Sequence, residues 1–155
     1  MSFIHLRTSS AFSLKYGTTQ PRDLVERAAQ FESPALALTD RDGLYGAIRF
    51  ARACLEFGVA PIIGVNLAID LLADPNIKSV PAKNLPRVTI LAHGDGGWRA
   101  LVRLLSGLNM NSTDRTPILT LDFLQRFSQY ATQLHLLHGP ESPVSQALAL
   151  HRTDI

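Results

Sequence analysis

One cysteine, Cys54, is all the chain has, so no internal disulfide can form and a cystine-stapled scaffold is excluded. No stretch approaches the roughly 20 apolar residues that cross a bilayer. The opening MSFIHLRTSS lacks the apolar core of a secretory signal, so a cytoplasmic protein with no membrane partner is expected. Long runs of like charge, low-complexity tracts and internal repeats are missing too, which leaves no sign of a linker between units. Charge is nearly balanced: 15 basic against 13 acidic residues give +2, an excess too small to require or exclude nucleic acid. Basic and aromatic residues do not interleave along the chain, so any DNA binding is expected to be weak and salt-sensitive.

What is there suits a packed core. A hydrophobic share of 46% with 18% charged residues is that of an ordinary globular chain, and 155 residues suit one domain spanning 1–155. Cys54 falls within an apolar helical stripe, where a small buried thiol is common.

Periodicity alternates between short β-rich runs and helical patterns. Residues 3–6 read as a first strand, followed by a helix capped by Thr18 or Thr19 with Pro21 in its first turn and Leu24, Val25, Ala28 and Ala29 on one face. Residues 35–39 read as a second strand. A helix from about Leu44 places Ala47, Phe50, Ala51, Cys54 and Leu55 on an apolar face and ends at Gly58. Pro61, Ile62 and Ile63 begin a third strand and 88–92 form a fourth. A helix then carries Trp98, Leu101, Leu104 and Leu105 on one side. Pro75 and Pro81, with Pro86 just after, mark 72–85 as a loop. Thr120 caps a short helix faced by Leu121, Leu124 and Phe127, 133–137 read as a strand, and Ser142 and Pro143 start a last helix. Strands alternating with helices define an α/β chain with mainly parallel strands, because parallel neighbours need a crossover.

Three segments in order, HLRTSSAFSLKYG at 5–17, ALALTDRDGLYG at 35–46 and PIIGVNL at 61–67, resemble the polymerase and histidinol phosphatase (PHP) domain. The version resembled is the one that opens bacterial DNA polymerase III alpha subunits and their error-prone relatives. The resemblance implies a partial distorted (β/α) barrel, truncated relative to a full domain, with its site at the carboxyl ends of the strands. Metal-binding members tend to read HLHVHSEYSLLDG in the first segment. His5 and Ser13 match, whereas Arg7 and Ser9 stand where histidines are usual and Tyr16 where an aspartate precedes the glycine, here Gly17. Of the threonine, aspartate and histidine in the second segment, Thr39 and Asp40 match and Arg41 replaces the ligand. Asn66 follows Gly64 by two, where glutamate is usual, and Arg87 stands where a histidine often precedes the fourth strand.

Binding divalent ions in such a site takes several deprotonated donors converging with open positions left for hydroxide and phosphate. Arginine has no lone pair and stays cationic, so Arg7 and Arg41 repel a metal from where its ligands would stand. His5, Asp40 and Asn66 are therefore expected to be a vestigial, metal-free site with no cofactor. Arg7, Arg41 and Arg87 are candidates to pair with Asp40 or to bind an oxyanion. His135 and His138, three apart on a strand, face opposite sides; His93 reads as a solvated loop residue, and His151 offers no better spacing. The glycine-rich 94–97 lacks the lysine and hydroxyl of a phosphate loop and reads as a helix entry.

Taken together, the resemblance implies a non-catalytic segment with a structural or protein-contact role. Its partners would be other polymerase regions, replication proteins or further copies of itself, since an open barrel leaves strand edges to cover. The alternative is a phosphoesterase or 3'-5' exonuclease dependent on manganese or zinc.

Overall fold

A computed structural model describes residues 3–70, 84–110, 116–130, 132–139 and 145. The chain divides into two compact units, Met1–Asn66 and Leu67–Ile155.

In the first unit, helix α1 (Pro21–Gln30) starts on a proline, whose fixed φ suits a first turn and whose missing N–H is no loss there. Neither expected threonine caps it. Gln20 holds the cap position without a side-chain bond, and the Thr19 carbonyl is spent accepting the Ala11 N–H at 2.8 Å. Strand β1 (Ala35–Leu38) is buried throughout. Helix α2 (Ala47–Phe57) begins three residues after Leu44 and closes on Gly58, whose φ of 70° is left-handed and unstrained for glycine alone. Ala47, Phe50, Ala53 and Cys54 are its buried face, whereas Leu55, expected among them, is 81% exposed. One step of 100° past Cys54 carries it off the contact. Val25, Leu36, Leu38, Phe50, Ala53, Cys54 and Val59 form the core. Strand β2 (Ala60–Asp70) is much longer than its apolar start suggests, and pairs in parallel with β1 from Ala35↔Ala60 to Leu38↔Ile63. The strand expected at 3–6 shrinks to one parallel bridge, His5↔Leu36, with Phe3, Ile4 and Leu6 exposed.

The second unit takes up the end of β2, whose residues 68–70 pair in parallel with β4 (Ile118–Thr120). Strand β3 (Arg87–Ala92) leads into α3 (Gly94–Met110), which buries Ala100, Leu101, Leu104, Leu105 and Leu108. Thr120 caps α4 (Leu121–Arg126) as expected, its Oγ1 accepting the Phe123 N–H at 3.3 Å. After a 3-10 turn at Ser128–Tyr130, β5 (Leu134–Leu137) returns antiparallel to β3. The α/β class holds, with parallel pairs β1–β2 and β2–β4 and the antiparallel pair β3–β5. Residues 72–83 of the expected loop, the helix expected at Ser142 and Pro143, and His151 lie outside the described residues.

Candidate functional site: a sealed carboxylate and a stacked arginine

Asp40 lies two residues past β1 and is 2% exposed, a depth at which a carboxylate needs hydrogen bonds on its oxygens. The HLRTSSAFS segment supplies them. Oδ1 accepts the Ser10 backbone N–H and the Ser13 hydroxyl, and Oδ2 accepts the Ser10 hydroxyl, each at 2.7 Å. Ser13 Oγ in turn accepts the Arg41 N–H at 2.9 Å. Thr8 and Thr39 lock the segment to the strand end: the Thr39 N–H donates to the Thr8 carbonyl at 2.8 Å and the Thr8 N–H to Thr39 Oγ1 at 3.0 Å. The loop then folds back so tightly that a Cβ on Gly17 would stand 2.1 Å from the Ser10 carbonyl oxygen, and only glycine fits.

The hydrogen bonds on Asp40 come from Ser10 and Ser13 rather than from the guanidinium of Arg7 or Arg41. Serine hydroxyls satisfy the buried charge without taking a guanidinium out of water, which is the costly part of a buried pair. Arg7 is exposed, and Arg87 opens β3 in the second unit. Arg41 turns instead to Tyr16: its guanidinium carbon stands 3.6 Å from the centre of the ring, a cation–π stack. The residues beside the stack, Lys15 and Asp42, have φ of 71° and 60°, a left-handed backbone that costs each of them of order 1 kcal/mol.

His5 is exposed, with its ring edge-on to Phe3 at 4.7 Å. Asn66 is buried, and its backbone stitches the strand ends: its N–H donates to the Asp40 carbonyl and its carbonyl accepts the Asp42 N–H, both at 3.0 Å. Among the described residues, no three His, Cys, Asp or Glu side chains stand close enough to share a metal ion.

Sequence reasoning missed four arginine–aromatic stacks. Besides Arg41 on Tyr16 they are Arg49 on Phe12, Arg22 on Phe57 and Arg27 on Phe31, all in the first unit. Only the last has a near-sequence signal, an i,i+4 spacing. It also missed that β3 and β5 bring His93 and His135 together, with ring centres 5.4 Å apart. His138 goes elsewhere, its Nδ1 lying 2.6 Å from Ser145 Oγ. Gly94–Met110 confirms the reading of the glycine-rich segment as a helix entry. Cys54 is no nucleophile in waiting: burial pushes its thiol up to about 11.

Parallel strands joined by helices, with polar residues gathered just past a strand's carboxyl end, place the chain in the α/β class. More narrowly, it belongs to the PHP domain family, whose model matches residues 5–154. The error-prone DNA polymerase of Mycolicibacterium paratuberculosis is 36% identical over 149 residues, which is 95% of this chain and 13% of that protein. DNA polymerase III subunit alpha of Buchnera aphidicola is 33% identical over 149 residues, 94% of this chain and 12% of the relative. The chain thus spans about an eighth of the length of these relatives. Among solved structures, an amidohydrolase from Chromobacterium violaceum with bound sulfate and no metal shares the fold. Its TM-score is 0.51 at 24% identity, over 69% of this chain and 33% of that one. No helix among the described residues is long and apolar enough to cross a membrane.

Proposed function

We propose that this chain is a metal-free, non-catalytic PHP segment of a polymerase III alpha-type or error-prone DNA polymerase, with a structural or protein-contact role in DNA replication or repair synthesis. The observation that carries the reading is the Arg41–Tyr16 stack. These residues stand at two positions where the metal-binding pattern has histidine and aspartate, and each here satisfies the other. Asp40 complements it, since both its oxygens accept hydrogen bonds from Ser10 and Ser13 that hold a loop in place. The donors left, an exposed His5 and a buried Asn66, do not make up the several converging ligands that phosphoester chemistry needs.

On this reading both compact units belong to one PHP domain of distorted (β/α) barrel type. Its partners are other polymerase regions, replication proteins or a second copy, and its place is the cytoplasm. DNA binds weakly, because Arg41 and Arg49 are engaged by aromatic rings of their own chain.

The test is to incubate tag-free protein with manganese and with zinc, pass it through gel filtration in chelator-free buffer, and count the metal retained while assaying bis(p-nitrophenyl) phosphate hydrolysis. Manganese retention below about a tenth of an equivalent, with no hydrolysis in either metal, is expected. A full equivalent retained together with hydrolysis would establish the metal-dependent phosphoesterase instead.

A further inference from the structure

We propose that His93 and His135 form a two-histidine site for a divalent transition ion, zinc or copper(II), in the second unit and using none of the residues around Asp40. The backbone brings them together. Antiparallel pairing sets Leu91 opposite His135 and Ala92 opposite Leu134, and the His93 N–H donates to the Gln133 carbonyl at 2.9 Å. The two imidazoles therefore emerge side by side at the end of the strand pair, with ring centres 5.4 Å apart and planes at 81°.

That spacing matches what a shared ion requires. An imidazole nitrogen sits about 2.0–2.1 Å from zinc, which puts the ring centre about 3.2 Å from the metal. Two rings held at a tetrahedral angle then have centres about 5.2 Å apart, close to the 5.4 Å observed. Both side chains are exposed, so an ion can enter and water can fill its remaining positions. Neutral imidazole is the donor that zinc and copper(II) share.

The HGDGG motif, which the Asp40 site does not use, explains how the pair is held. A Cβ on Gly97 would fall 2.5 Å from the Gln133 carbonyl oxygen and 2.9 Å from the Ala92 carbonyl carbon. The first turn of α3 therefore rests directly on the backbone at the ends of both strands, which holds the main chain that carries the two histidines. An edge-to-face imidazole pair is also favourable as a plain aromatic contact, and that is the reading to be overturned.

Zinc chloride is titrated by calorimetry into the tag-free chain and into His93→Gln and His135→Gln, each checked for native far-ultraviolet dichroism and Trp98 emission. One reversible equivalent in the micromolar range is expected, with at least tenfold weaker binding in either variant and no further loss in the double variant. Copper(II) electron paramagnetic resonance should show coupling to two nitrogens in the parent and to one in each single variant. Zinc binding unchanged in both variants, or nitrogen coupling that neither removes, would assign the ion to other histidines and end the proposal. The inference goes beyond the metal-free reading of the Asp40 site and fails separately from it. Ion retained through gel filtration together with hydrolysis tests Asp40, whereas reversible zinc lost with His93 or His135 tests the pair.

Discussion

Asp40 is buried, and the serines around it make its carboxylate an anchor for the loop at 8–17. Asp40→Ala strands the Ser10 N–H and two hydroxyls, and should cost about 3 kcal/mol or more in urea unfolding. Arg41→Ala removes only a stack at a half-exposed position and should cost under about 1 kcal/mol. If the two losses came out equal, the guanidinium and not the serine set would be bearing on the carboxylate. Cys54 gives a second prediction at this scale. Its folded thiol titrates at about 11 against an ordinary 9.0, so its contribution to stability is complete below pH 9 and is lost as pH rises toward 11. Ellman's reagent at pH 8 should leave native protein unlabelled and modify it only in denaturant.

Elements hold together through few contacts, each with its own test. Phe50 is the largest side chain buried in α2, and Phe50→Ala should cost about 3–5 kcal/mol. Gly97→Ala forces a methyl into two strand backbones and should cost about 1–3 kcal/mol in thermal unfolding while leaving the first unit's core untouched. At the surface, a bidentate bond from Arg22 ties α1 to α2 and holds the Glu56 carboxyl below its usual range. That contribution is present above the ordinary carboxylate pKa and is lost as pH falls. The helices were legible in the sequence because their apolar spacing is local: Val25, Phe50, Cys54, Leu101 and Leu104 are all buried as their period demands. Residues 3–6 misled because a β-rich run forms a strand only where a neighbour pairs with it, and here one residue does. Within the site, the substitutions themselves could be read, but the partners could not. Arg41 meets Tyr16 and Asp40 meets Ser10 only through the fold-back of a loop, and His93 meets His135 only because β5 returns antiparallel to β3.

At the scale of the molecule, β2 belongs to both units: its first residues pair with β1, its last with β4. The chain has one cysteine and one tryptophan, and they report on different units, Cys54 on the first and Trp98 on the second. Because one strand runs through both, Cys54 reactivity and Trp98 emission should change at the same urea concentration, as a single cooperative transition. Two separated midpoints would show units that melt alone. The Arg41–Tyr16 stack has a consequence of another kind, for reversal. Arg41→His alone would return an imidazole to its place but leave Tyr16 where a carboxylate is needed, and Tyr16→Asp alone would set an acid beside a guanidinium that neutralises it. Neither single step recovers a ligand pair. On the proposed metal-free reading the stack acts as a ratchet: with arginine and tyrosine both in place, no single substitution at either one supplies both donors.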